Sequence, residues 1–295
     1  MPDSAARSRY QRAAADLQWL KDQVPLYRLG AAQPDIQRHL TRPAQLSDAL
    51  HAALSQDPLP RLGRYCELLF HWGLTANPQV AAVENGIIIR ADGRTLGEFD
   101  FLIRPQSQTT YHHLELCVKF YLANGPLAQP PSWLGINPSD RLDIKLARLR
   151  DHQLRLSEMA PAAAWLAAQQ ISVSSVSGLM LGMLFFPRTA DWQTAPGPLG
   201  ASAGLARGWW CRGGEIAQRA TEREQFIELD RLHWLAPLPV SDPARLVDSR
   251  VIAARAAQRA RMVSRRGGAH EQYRELDRGL VVPDHWPLRV NPADA

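Results

Sequence analysis

The chain has 295 residues, of which 45% are hydrophobic and 21% charged, with a formal net charge of +5 and a pI of about 9.4. These values exclude wholesale disorder, and the length allows one large domain or a core with a second, small domain. The mildly positive charge is compatible with a nucleic-acid partner but does not require one.

The cysteines and the apolar segments indicate the cellular setting. Cys66, Cys117 and Cys211 are widely spaced and odd in number, so they predict neither a disulfide framework nor a CxxC metal site. The N-terminal stretch lacks an apolar signal core, and the most apolar run, residues 178–186, is too short to cross a bilayer. The sequence therefore predicts a cytoplasmic protein with no membrane partner.

Hydrophobic periodicity predicts helices and strands in alternation. The predicted elements of the first half are, in chain order, an amphipathic helix at 8–24, a largely apolar helix at 62–74, and strands at 87–90, 97–103 and 111–121. Those of the second half are a long helix at 139–159, a strand at 171–186, strand candidates at 209–211 and 226–238, and an alanine-rich helix at 243–263. Asp92-Gly93 indicates a hairpin turn between the first two strands.

Acidic residues and a lysine fall on the predicted strands. Strict alternation places Glu98 and Asp100 on one face of their strand, and Glu115 and Lys119 on one face of the next. Two carboxylates and a lysine are the parts of a phosphodiester-cleaving site, because carboxylates hold Mg²⁺ and a lysine orients water or stabilises phosphate. Glu67, in the preceding apolar helix, adds a further carboxylate.

A structural interpretation of the same residues remains open. Glu115 and Lys119 would then be solvated residues of a half-exposed sheet, joined by a weak surface ion pair. Asp100 fits this interpretation less well, because it lies between two phenylalanines in a strand, where Asp is depleted. His113 shares the face of Glu115 and is either a substrate contact or a structural histidine.

Two basic clusters are candidates for contacting nucleic acid. In the predicted helix 139–159, basic residues recur at helical spacing and form a stripe: Arg141, Lys145, Arg148, His152 and Arg155. A solvated helix face is the alternative. Gln153 in the same segment either reads a base or caps a hydrogen-bond network. The arginines between residues 250 and 266 predict either a nucleic-acid-binding tail or a salt-bridged surface helix.

The order helix, three strands, helix, strand, with these acids, resembles the αβββαβ core of the PD-(D/E)XK nuclease superfamily. The amino-acid sequence of several segments also resembles that of a bacterial family known as domain of unknown function 1853. The segments that carry the resemblance are GRYCELLFHW (63–72), GEFDFLI (97–103), HLELCVKFYL (113–122), DRLDIKLARLRDHQLRLS (140–157) and WLAPL (234–238).

The resemblance assigns roles to individual residues. Asp100 matches the first acid of the superfamily signature, Glu115 the second, and Glu67 the helix-borne acid of some members. The signature lysine is expected two residues after the second acid, where this chain has Cys117. Lys119 lies four residues after Glu115, about 13 Å along a strand instead of about 6.6 Å, so it must lean back or a bulge must shorten the gap. Otherwise Lys145 would have to substitute for it.

Together these inferences predict an α/β fold with a restriction-endonuclease-like core (αβββαβ, a mixed sheet flanked by helices) and N- and C-terminal helical and strand elaborations. The predicted divisions are a helical extension at 1–59, the core at 60–187, additional strands and loops at 188–242, and an Arg-rich helix and tail at 243–295. The predicted function is a nuclease that depends on Mg²⁺ or Mn²⁺, or a nuclease-like nucleic-acid-processing protein, with DNA favoured over RNA as its partner and a homodimer as a compatible state. The alternative is a non-catalytic nucleic-acid-binding or scaffold protein of the same fold with a degenerate site.

Overall fold

The computed structural model describes residues 4–30, 36–56, 60–189, 191–218, 224–239, 243–267 and 274–288, and has a mixed α/β fold. The α-helices are α1 (Ser4–Asp22), α2 (Asp48–Ala53), α3 (Leu62–Thr75), α4 (Leu142–Asp151), α5 (Ala160–Ala168), α6 (Gly213–Gln218) and α7 (Ser249–Ala256). The strands are β1 (Tyr27–Gly30), β2 (Val80–Ala91), β3 (Arg94–Pro105), β4 (Tyr111–Ala123), β5 (Trp133–Leu134), β6 (Val173–Pro187), β7 (Arg207–Arg212), β8 (Gln225–Glu228), β9 (Arg261–Gly267) and β10 (Arg274–Val282). Short 3₁₀ helices occupy Ile36–His39, Pro130–Ser132, Gln153–Glu158, Arg231–His233 and Pro243–Arg245.

The chain divides into two compact units. The first unit comprises Met1–Val118 and Leu146–Leu181, and the second comprises Lys119–Lys145 and Gly182–Ala295. Helix α4 and strands β4 and β6 therefore each contribute residues to both units. The predicted division at residues 60, 188 and 243 stays a prediction.

The first unit contains the predicted sequence of helix and three strands. Strands β2 and β3 pair antiparallel around Asp92 and Gly93, both with positive φ, as the predicted hairpin turn requires. The sheet order within this unit is β2-β3-β4-β6, and β1 pairs antiparallel with the part of β6 that starts at Ser177. Helix α3 packs the ring of Phe70 at 6.1 Å from that of Phe101 on β3. The predicted helices at 8–24 and 62–74 are confirmed as α1 and α3.

Strand β3 pairs with β2 in one continuous register from Gly97 to Arg104. Phe99 and Leu102 belong to the same hydrophobic cluster as Leu156, and Phe101 packs on helix α3. The predicted sharing of one strand face by Glu98 and Asp100 stays a prediction.

Strand β4 is buried on both faces from His112 to Leu116, which overturns the interpretation of Glu115 as a solvated residue. His113 and Glu115 are 0% exposed, and Leu114 and Leu116 on the other face are 1% and 6% exposed. A segment buried on both sides has only the protein to satisfy its polar side chains, and an unsatisfied buried polar group costs about 1–3 kcal/mol.

The predicted single helix from 139 to 159 is two elements. Helix α4 ends at Asp151, and after His152, whose φ and ψ are −129° and −63°, the 3₁₀ helix Gln153–Glu158 continues the chain. A 3₁₀ helix has about three residues per turn instead of 3.6, so the predicted basic stripe does not continue along one straight face.

The second unit contains a mixed sheet whose order is β6-β7-β10-β9-β8. Strands β6 and β7 and strands β7 and β10 are parallel, while β10 pairs antiparallel with β9 and β9 with β8. The strand predicted at 209–211 is confirmed by β7, whereas of the segment 226–238 only Gln225–Glu228 is a strand.

The predicted Arg-rich C-terminal helix is largely wrong, because helix α7 is short and β9 and β10 follow it. Arg255 and Arg261 both bond Glu228, and Arg265 bonds Asp277. Arg266 lies 3.5 Å from a Glu275 carboxylate oxygen. These arginines are thus held within the second unit by acids, although Arg261, Arg265 and Arg266 lie on β9 and not on the predicted surface helix. Among the described residues, no helix combines the length and apolar character needed to cross a membrane.

Candidate functional site

The two predicted metal-binding acids lie on neighbouring strands of the first unit. The β3–β4 ladder pairs Phe101 with Leu114, and Asp100 is the next residue of β3. At this position a side chain, and not the backbone, bonds the neighbouring strand: Asp100 Oδ2 accepts a hydrogen bond from the Leu116 N–H at 2.9 Å. The amide that Asp100 binds belongs to the residue directly after Glu115. The fold therefore brings Asp100 and Glu115 together at the point where β3 and β4 stop pairing.

The Glu115 carboxylate is enclosed and oriented by two side chains. Its Oε1 lies 2.8 Å from His113 Nε2, and its Oε2 accepts a 2.6 Å hydrogen bond from Gln153 Nε2. Burial lowers the pKa of His113 to about 4, so the imidazole is neutral near pH 7. When the Glu115 carboxylate is ionised it only accepts hydrogen bonds, and His113 then donates from Nε2. His113 also packs edge-on against Phe99, with ring centres 4.8 Å apart.

Gln153 and His113 are the functional neighbours that sequence reasoning identified incompletely. Gln153 was predicted either to read a base or to cap a hydrogen-bond network. Its hydrogen bond to Glu115 fits the second alternative. The placement of His113 on the face of Glu115 is confirmed by their bond. The partner of Gln153 is 38 residues away in the chain, so no local pattern indicates their bond. The sequence shows only that Gln153 is an uncharged polar residue within the basic stripe.

Lys119 lies in the second unit and has an acid of that unit as its partner. Its Nζ lies 2.6 Å from Asp140 Oδ2, and Tyr121 donates a 3.0 Å hydrogen bond to the other oxygen of Asp140. Lys119 and Tyr121 thus share a face of β4, as alternation predicts. Cys117, at the position expected for the signature lysine, is half-buried.

Glu67 forms a local ion pair on helix α3. Its Oε2 accepts a 3.0 Å hydrogen bond from Arg64, and its side chain is 26% exposed. The Glu98 carboxylate and the Arg64 guanidinium both approach Gly86, lying 3.5 and 3.9 Å from the position of a Cβ built there. Gly86 has a φ of +69°, a left-handed conformation that glycine adopts without strain.

The predicted nucleic-acid-binding residues are divided between the units. Arg141, in the second unit, forms a two-pronged ion pair with Asp143, and Lys145 lies in the same unit. Arg148 and Arg155, in the first unit, are exposed, and His152 is half-buried. Arg155 bonds Glu158 at 3.1 Å.

Asp100 and Glu115, referred to below as the acid pair, are compatible with one class of metal site. Within the described part of the chain, no cluster of three or more His, Cys, Asp or Glu side chains has an arrangement that could hold a metal ion. A closed protein cage of the zinc or calcium type is therefore not formed by these residues. Mg²⁺, however, commonly binds one or two carboxylates together with waters and substrate phosphates. Asp100 and Glu115 are two carboxylates of the kind that such a site uses, and a hydrogen bond takes up only one of the two lone pairs on a carboxylate oxygen.

Comparison with known proteins identifies the family. The model of the domain of unknown function 1853 (DUF1853) matches residues 5–282, which is nearly the whole chain. No curated protein and no solved structure matches the chain. The chain therefore belongs to the DUF1853 family.

Proposed function

We propose that this chain is a nuclease-like, nucleic-acid-processing protein of the PD-(D/E)XK type with a restriction-endonuclease-like core. The observation that carries the proposal is the Asp100 carboxylate bound to the backbone amide that follows Glu115 on the neighbouring strand of the first unit. A strand buried on both faces rarely carries an acid unless the acid has a defined partner or task, and Glu115 is 0% exposed.

In this proposal Asp100 and Glu115 would hold Mg²⁺ or Mn²⁺. The ion, when bound, would polarise a phosphate and lower the pKa of a water molecule. His113 and Gln153 fix the direction of the Glu115 carboxylate, one donor on each oxygen. Because burial keeps His113 neutral, it holds Glu115 without adding a positive charge that would repel a cation.

Glu67 and the basic residues of the first unit have supporting roles in the proposal. Glu67, paired with Arg64, would support the site from helix α3. Exposed Arg148 and Arg155, together with His152, would contact the phosphate backbone. Lys119, Arg141 and Lys145 lie in the second unit, so the water- or phosphate-orienting role of Lys119 and the backbone contacts of Arg141 and Lys145 stay predictions.

The partner in this proposal is nucleic acid, DNA rather than RNA, and a homodimer would allow cleavage of both strands. The proposed setting is the cytoplasm, since Cys66, Cys117 and Cys211 form no disulfide.

One observation favours a second candidate function. The signature position holds Cys117, and Lys119, the nearest replacement along the strand, has its ammonium group bonded to Asp140. A protein with this arrangement would bind nucleic acid and position it without efficient turnover. Its affinity would depend strongly on salt, because each phosphate contact releases counterions.

The test is a cleavage assay on single- and double-stranded DNA and RNA with Mg²⁺ and with Mn²⁺. We expect Asp100→Asn and Glu115→Gln to lose metal-dependent cleavage while keeping the wild-type circular dichroism and melting temperature. Glu98→Gln is the matched control, since it removes an exposed carboxylate two residues from Asp100 on the same strand. Cleavage retained by both acid variants would refute the proposal. Salt-sensitive binding by the wild type without cleavage would select the second candidate.

A further inference from the structure

We propose that the second unit contains a nucleobase-binding site that uses none of the residues of the acid pair. The site is a cavity of about 300 Å³ lined by two arginines, two tryptophans, two acids and Thr189. This volume is at the lower end of the range for small-molecule sites, roughly 300–1,000 Å³.

Neighbouring strands build the floor of the cavity. Arg265 on β9 lies directly opposite Asp277 on β10, and Trp209 on β7 pairs with Gly279 on β10. A Cβ at Gly279 would lie 2.3 Å from indole carbon Cη2, so the glycine allows the Trp209 ring to lie over the β10 backbone. Glu224, immediately before β8, completes the floor.

Polar bonds connect these side chains into a network of alternating charge. The Trp209 indole N–H donates to Asp277 Oδ1 at 2.8 Å, and Arg265 Nε donates to the same carboxylate at 3.1 Å. Arg188 Nη2 donates to Glu224 at 2.5 Å, and the Arg188 guanidinium lies over the Trp209 ring, 4.4 Å from its centre. The side chains of these two arginines and two acids are between 6% and 29% exposed. The network is therefore largely desolvated and formally neutral.

Neutrality and flat surfaces determine the class of ligand. A simple ion of either sign gains little from a network in which positive and negative groups balance. Arg265 Nη1 forms a long ion pair with Glu224, 3.8 Å from Oε1 and beyond hydrogen-bond reach, so its N–H would be able to donate to a carbonyl oxygen or ring nitrogen of a ligand. The half-buried Trp192 indole offers an aromatic surface for stacking. A nucleobase combines a flat ring with acceptors that arginine binds, such as O6 and N7 of guanine.

The base has two sources, a free nucleoside and a base within a single strand. The test is titration of the full chain with each of the four ribonucleosides and with short single-stranded homopolymers, followed by tryptophan fluorescence. We expect saturable quenching. Nucleosides that bind as tightly as homopolymers identify a free ligand, whereas binding of homopolymers with weaker nucleoside binding identifies a base in a strand. Both results support the site.

Two variants examine the cavity itself. Thr189→Phe fills it without removing a charged member, and we expect affinity to fall by about tenfold or more. Trp192→Leu should remove most of the quenching, while Trp165→Leu, a half-buried tryptophan of the first unit, should leave both affinity and quenching unchanged. No saturable signal up to about 10 mM ligand, or equal affinity in Thr189→Phe, would overturn the proposal. Since Asp100→Asn should bind the base normally, failure of the nuclease proposal would not remove this site.

Discussion

His112 provides a sharp test of how the first unit is packed. Its ring nitrogens lie 2.7 Å from Ser175 Oγ and 2.8 Å from Ser177 Oγ, and the residue is 3% exposed. A neutral imidazole fits two hydroxyl groups, since it donates to one and accepts from the other. Burial, and after it the neighbouring His113, lower the pKa of His112 from 6.5 to about 4.

The sign and size of the effect follow from linkage. The folded pKa of His112 is below its unfolded value, so the stability that neutral His112 contributes is fully present above about pH 6.5. It is lost as the pH falls from about 6.5 toward the folded pKa of about 4. Because one pKa unit corresponds to about 1.4 kcal/mol, the complete loss is about 3 kcal/mol, of which about 2 kcal/mol falls between about pH 7 and pH 5.

The assay is urea unfolding, followed by fluorescence, of the wild type and His112→Gln at pH 7 and pH 5. The variant cannot titrate at this position, so we expect its free energy of unfolding to fall by about 2 kcal/mol less than that of the wild type. His113 is present in both proteins, so its own titration contributes to both losses. His51→Gln, which replaces an exposed histidine on α2, is the control and should behave as the wild type. Equal losses in His112→Gln and the wild type would refute the assignment of a buried, neutral His112.

Two further predictions concern the second unit. Arg278 is 3% exposed and donates hydrogen bonds to the carbonyl oxygens of residues 234–236. Arg278→Met leaves these buried oxygens without their donor and should therefore lower the free energy of unfolding by about 4 kcal/mol. An unchanged midpoint of urea unfolding would contradict this. Gly182 has a φ of +128°, and a Cβ there would lie 1.8 Å from the Lys119 carbonyl oxygen. Gly182→Ala should therefore destabilise by more than about 3 kcal/mol in the same assay, whereas Gly63→Ala, with open space around its Cβ, should be neutral or slightly stabilising.

Local signals in the sequence were sufficient for the elements around the acid pair. The apolar helix before the strands, the Asp92-Gly93 turn and the long β4 strand depend on residues close together in the chain, and their predicted positions are confirmed. The bond of Asp100 to a backbone amide 16 positions away could not be predicted in this way, because such a bond leaves no periodic pattern in the sequence.

The two larger errors have the same physical origin. Leu146, Leu149 and Leu156 keep helical spacing through the end of α4, so periodicity alone extended the helix. The chain instead leaves the helix after Asp151, and Gln153 reaches a carboxylate on β4. In the C-terminal region a helix was predicted from the arginine and alanine content. The arginines are instead bonded to acids on other strands, which are distant in the sequence.

The enclosure of Glu115 is the strongest argument that the acid pair has a task beyond packing. Burying a carboxylate is costly, and replacement of buried ionic groups by apolar side chains is often neutral or stabilising. His113, which burial keeps neutral near pH 7, and the uncharged Gln153 each bond one Glu115 oxygen and fix its direction. A buried carboxylate whose direction is fixed in this way, on the strand beside Asp100, is what the proposed function requires of a metal ligand.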